Sequence, residues 1–106
     1  MKIYISGPIS GMNPIEARWR FEKAQMYLEN LGHSVVNPMN MGNWGLRWTT
    51  YMALAKVTIC SGEIDAMYLM PKWEQSMGCI LERKWATEKG VNIYYDIKKF
   101  RTTKRS

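Results

Sequence analysis

Cysteine, histidine and long apolar runs are scarce in this chain, and each scarcity closes off a class of protein. Two cysteines, Cys60 and Cys79, and one histidine, His33, stand among 106 residues. They form no CxxC pair and no metal-ligand spacing, so no metal site is expected, and free thiols are expected rather than a bridge. No apolar stretch approaches the length of a membrane span, and the first residues lack the basic-then-apolar order of a secretion signal. The expectation is therefore no membrane partner and a cytoplasmic location. No repeat, linker or low-complexity segment interrupts the chain. At 46% hydrophobic the composition suits one compact domain with a core of its own.

Charge of one sign is scarce as well, once its position is taken into account. The net charge is +6, but Lys98, Lys99, Arg101, Lys104 and Arg105 all lie in the last nine residues. Residues 1–96 carry ten basic and nine acidic side chains, so the body is nearly neutral. Residues 97–106 read as a basic tail, solvated and frayed, with nucleic-acid contact the less favoured use of it.

What is present is a clear alternation of elements. Lys2–Ser6 is a β-rich opening strand stopped by Gly7-Pro8, and a Gly- and Pro-dense loop runs to Asn13-Pro14. Asn13 is placed as a helix N-cap with Pro14 at the first position. Ala17, Phe21, Ala24, Leu28 and Leu31 form that helix's buried stripe, and Gly32 closes it in the left-handed conformation. His33–Val36 is a short second strand, with His33 expected as a solvated cap. Trp48, Met52, Ala55 and Ile59 recur at helical spacing, after a loop over 39–46 that contains Trp44. Ile64–Met70 is a buried strand closed by Pro71, a third helix runs to Gly90, and 91–95 is a last strand. Strands alternating with helices predict an α/β fold of three layers: a flavodoxin-like (Rossmann-like) parallel sheet of four to five strands in the order 2-1-3-4.

That order makes strands 1 and 3 neighbours whose connections leave in opposite directions, and ligands bind at such a switch point. The loops reaching it are Gly7–Asn13 and Pro71–Ser76. Behind the second loop, the third helix presents free N–H groups and the positive end of its dipole. Glu82, about one and a half turns into this helix, points towards a partly dry pocket. Without further context Glu82 also reads as a surface glutamate paired with a nearby base, and Ser76 as a simple helix cap.

Ile3-Tyr4-Ile5-Ser6-Gly7-Pro8-Ile9-Ser10-Gly11, paired with Ser76-x-Gly78-x-x-x-Glu82, resembles the nucleoside 2-deoxyribosyltransferase superfamily. That superfamily includes the 2'-deoxynucleoside 5'-phosphate N-hydrolases, and the Trp73-Glu74-x-Ser76-x-Gly78 wording is similar to a small phage and bacterial branch. The resemblance covers roughly residues 2–95 and implies a deoxyribosyltransferase-like domain over 1–96. It implies N-glycosidic chemistry with no cofactor. Glu82 matches the glutamate that attacks the anomeric carbon, and the small-molecule partner is a nucleoside or nucleotide. Ser76 and Gly78 match positions that hold the sugar or its 5'-phosphate. Tyr4 and Gly7 match positions lining sugar and base, with Pro8, Ile9 and Ser10 in the same loop.

Two departures from the pattern stand out. The aspartate expected on the second helix falls near Ala55, Lys56 or Val57, none of them acidic; Glu74 is the best-placed substitute. Pro8, which has no N–H, replaces a phosphate-binding serine. A catalytically silent nucleotide-binding module is therefore the alternative to an enzyme. A homodimer is expected from the resemblance and from Trp and Met around 39–52, where Trp44, Trp48, Tyr51 and Met52 read as core or interface before they read as a base-stacking wall. Cys79, near a helix start, reads as a packed small hydrophobe, with a lowered pKa the alternative.

Overall fold

Strand β1 (Lys2–Ser6) is the axis on which the other elements are laid. From Ile3 onward every residue of it is buried, which a strand covered on both faces requires. The computed structural model describes residues 1–9, 11–40 and 47–102. Among these, α1 (Pro14–Asn30), β2 (Ser34–Val36), α2 (Trp48–Ile59), β3 (Ala66–Leu69), α3 (Met77–Glu88) and β4 (Asn92–Tyr94) follow β1 in order. The four strands form one sheet in the order β2-β1-β3-β4, and every pairing is parallel. This is the flavodoxin-like arrangement expected. No helix among the described residues is long and apolar enough to cross a membrane.

Each helix begins and ends where local chemistry dictates. The Asn13 side chain accepts from the N–H groups of Ile15 (2.9 Å) and Glu16 (3.3 Å), and Pro14 occupies the first turn, where its missing N–H costs nothing. The helix ends one residue short of Leu31, and Gly32 takes the left-handed backbone at φ 96°. Ala17, Phe21, Ala24 and Leu28 face inward, as their spacing predicts.

The period of the strands divides the interior in two. Ile3 and Ile5 join Ala66 and Tyr68 under α1, while Tyr4 joins Met67 and Leu69 under α2 and α3. Each buried Leu, Ile or Phe contributes roughly 1.5–3 kcal/mol through the water it sheds.

Two expectations are corrected here. His33 is buried, not a solvated cap: its Nδ1 accepts from the Met1 amino group at 3.1 Å and its Nε2 donates to the Arg101 carbonyl at 2.7 Å. The segment following residue 96 is not frayed at its start. Phe100 is buried and stacks on Tyr94 at 4.1 Å, with Tyr68 and His33 at its edges. Lys98, Lys99 and Arg101 remain exposed, so charge count alone hid an aromatic anchor in their midst.

Candidate functional site

Tyr4 and Ser6 are two apart on β1, so both side chains point to the face covered by α3. On α3 the buried residues are Cys79, Glu82 and Ala86, a stripe at helical spacing turned to the sheet. The two patterns meet at Glu82. Its Oε2 accepts from the Tyr4 hydroxyl at 2.5 Å and its Oε1 accepts from the Ser6 hydroxyl at 2.9 Å. Glu82 is 2% exposed, and among the described residues no ion pair engages it.

A carboxylate in such a place is costly to ionise. Burial pushes the Glu82 carboxyl up to about 7, and the Tyr4 and Ser6 donors, which favour the anion, offset only part of that rise. The Tyr4 phenol is held well above its ordinary range by burial and then by the Glu82 charge. The Tyr51 phenol on α2 is pushed up too, first by burial and then by the Glu82 charge. The thiol of Cys79 is raised by burial, against the pull of the Ser6 and Ser76 hydroxyls. That direction is opposite to the lowering a helix N-terminus would give, and Cys79 is 1% exposed, the packed small hydrophobe expected. Both Cys60 and Cys79 are free, as expected.

Beside this cluster lies a cavity of about 540 Å³. Pro8 and Asn13 contribute from the first loop, Lys72, Gln75 and Ser76 from the second, Gly78 from the start of α3, and Glu16, Arg20 and Trp48 from α1 and α2. Both expected loops therefore open at the same end of the sheet. Ser76 caps α3, its Oγ accepting from the Cys79 N–H at 3.3 Å, and its own proton is left to donate. Lys72 holds φ at 69°, the one left-handed non-glycine among the described residues. Gly78 sits one turn above Glu82. A Cβ there would stand 3.4 Å from Met52 Sδ and 3.9 Å from Trp48 Nε1, ordinary contact distances, so packing between α2 and α3 does not by itself require the glycine.

The sequence-predicted residues divide into groups. Tyr4 and Glu82 form the buried cluster, while Pro8, Ser76 and Gly78 line the cavity. Gly7 is a packing position: a Cβ would come within 2.5 Å of Met70 Sδ and 3.1 Å of Phe21 Cζ. Ile9 rests against the core under α1, and Glu74 is exposed on the turn Trp73–Gln75. Ser10 and Trp44 lie outside the described residues. Met52 is core, as expected, whereas Trp48 is half-exposed on the cavity wall. Ser6 was missed as a site residue, although a serine two places after a tyrosine in a buried strand signals a shared polar face. Lys72 and Arg20 were missed because only folding brings them to one cavity.

A family model matches residues 1–95, the one described as Domain of unknown function (DUF4406). No curated protein and no solved structure matches the chain.

Proposed function

The chain belongs to the DUF4406 family, and we propose that it cleaves or exchanges the N-glycosidic bond of a 2'-deoxynucleoside or its 5'-monophosphate, with Glu82 as nucleophile. The observation that carries this reading is the buried Glu82 carboxyl, gripped at both oxygens by Tyr4 and Ser6 beside a cavity at the sheet's switch point. A carboxylate kept from water and fixed in one orientation suits attack at an anomeric carbon.

In the step proposed, a Glu82 oxygen bonds to that carbon as the carbon–nitrogen bond breaks. The bonding pair leaves with the base, which takes up a proton. Water or a second base then adds to the same carbon, and Glu82 leaves as the carboxylate. Attack needs the ionised form, so the rate rises with pH through about 7 on its acidic limb. Lys72 and the start of α3 face the cavity and support an anionic group such as a 5'-phosphate there, despite Pro8, while Arg20 on the same wall is paired with Glu16 at 3.3 Å.

A silent nucleotide-binding module is the second reading, and α2 favours it. Of Ala55, Lys56 and Val57 only Ala55 is buried towards the sheet, so no carboxylate from α2 assists Glu82. Incubation with a panel of deoxynucleosides and their monophosphates, with free base as the readout, separates the two. Turnover that falls about a thousandfold or more in Glu82→Ala supports the enzyme. Thermal protection by a nucleotide without base release supports the binder. Neither result with any compound removes both. Assembly as a homodimer or a larger oligomer belongs to the same proposal: Trp48, Leu54 and Val57 of α2 and Met77 of α3 are large apolar side chains left exposed. Sedimentation showing only monomer at micromolar concentration counts against it.

A further inference from the structure

Helix α1 carries two apolar stripes, and the fold uses one of them. Ala17, Phe21, Ala24 and Leu28 are buried against the sheet. Ile15, Trp19 and Met26 are left 81%, 58% and 64% exposed. At the α-helical period these three fall within an arc of about 40°, on the side directly away from the buried stripe. A surface helix ordinarily turns charged and polar side chains to that side. Single exposed apolar residues are normal, but three large ones aligned over three turns mark a contact surface.

The charges beside the stripe say what it meets. Arg18 and Glu22 line one flank, paired with each other at 3.0 Å. Glu16 and Lys23 line the other, where Lys23 Nζ stands 4.9 Å from the centre of the Trp19 ring. When two identical helices pack antiparallel about a two-fold axis, each flank meets the same flank of the other copy in reverse order. With the axis at the level of Trp19 and Arg20, Ile15 meets Met26 of the second copy and Trp19 meets Trp19. In that register Arg18 meets Glu22 and Glu16 meets Lys23, opposite charges on both flanks. Moving the axis to Glu22 and Lys23 sets Glu22 against Glu22 and Lys23 against Lys23, so charge selects the first register. Antiparallel packing also brings the helix dipoles together with opposite sense.

We infer that the outer face of α1 docks a second copy of this chain, α1 against α1 in antiparallel order, with Trp19 at the centre. A face that complements itself on reversal is the pattern of an isologous contact, and it fits a copy of the chain better than a foreign protein. The contact is separate from the exposed apolar residues of α2 and α3, since those helices cover the other side of the sheet from α1. It does not depend on the role of Glu82.

Sedimentation of the whole protein from about 1 to 100 µM reads the association, with circular dichroism as the check that each variant is folded. Wild type is expected to associate, and Trp19→Glu, at a position already open to water, to weaken association on the order of a hundredfold or more. Arg18→Glu and Glu22→Arg are each expected to weaken it about tenfold. Mixed in equal amounts, these two variants are expected to recover it as a heterodimer, because each supplies the charge the other lacks. A wild type that stays monomeric throughout overturns the inference and leaves the stripe to a different protein. Association that Trp19→Glu leaves unchanged also overturns it, and assigns assembly to the α2 and α3 side. Loss in both charge variants without recovery on mixing overturns the antiparallel order.

Discussion

The two faces of strand β1 are built on opposite principles. Under α1, Ile3 and Ile5 meet Phe21, Leu28, Met39 and Phe100, an apolar layer in which shape and water exclusion are the whole account. Under α2 and α3, the alternate positions of the same strand are Tyr4 and Ser6, which meet Glu82 and pack with Cys79. One five-residue strand thus carries a face that stabilises the fold and a face that weakens it at neutral pH. Polar groups are buried at such cost where chemistry or binding uses them. The contrast marks the same candidate site without reference to any motif.

Deleting a piece of the apolar face gives the largest expected effect on stability. Phe100→Ala removes a ring stacked on Tyr94 and enclosed by Tyr68 and His33, and chemical denaturation is expected to show a loss of about 3–5 kcal/mol. Binding or turnover in what remains folded stays unchanged, because Phe100 lies across the sheet from Glu82. A loss under 1 kcal/mol means the segment over 97–102 is the frayed tail after all.

The polar face predicts the opposite sign. The Glu82 carboxyl is raised in the folded state to about 7, above the 4.5 of an unperturbed glutamate. The folded state then binds the proton more tightly, so this stabilisation is fully present below about 4.5 and is lost as pH rises through 7. Glu82→Gln keeps the shape and cannot ionise. It is expected to match wild type at pH 4 and to exceed it by about 3 kcal/mol at pH 8, read as several degrees in Tm. Equal melting temperatures across that range refute the buried, uncompensated carboxylate.

Ser6→Ala is the smallest and sharpest test. It removes one of two donors to Glu82, so the loss is about 1–2 kcal/mol at pH 8, where the carboxylate needs the bond, and less at pH 5. The same substitution raises the Glu82 midpoint. A pH-independent loss points to packing alone and makes the two faces alike.

The legible parts of the fold share a local cause. The helix starts at Asn13-Pro14 and at Ser76, and the left-handed Gly32, each follow from the conformational limits of one or two residues. The illegible parts join distant segments. His33 is read as solvated until Arg101 arrives above it, and Phe100 is masked by the lysines around it. Gly7 carries a ligand-loop motif in the sequence, yet it is also a tight packing position, where any side chain would force Met70 and Phe21 to shift.

Alternation and turn chemistry by themselves determined the element order, the parallel sheet β2-β1-β3-β4 and the end of it at which two loops meet, because periodicity and backbone limits act within a few residues. Only the tertiary structure decided that Glu82 is dry and that Ser6 and Tyr4 share it. Burial and hydrogen-bond partnership depend on which surfaces come together across the sheet, and a carboxylate's chemistry is set by those neighbours rather than by its own place in the chain.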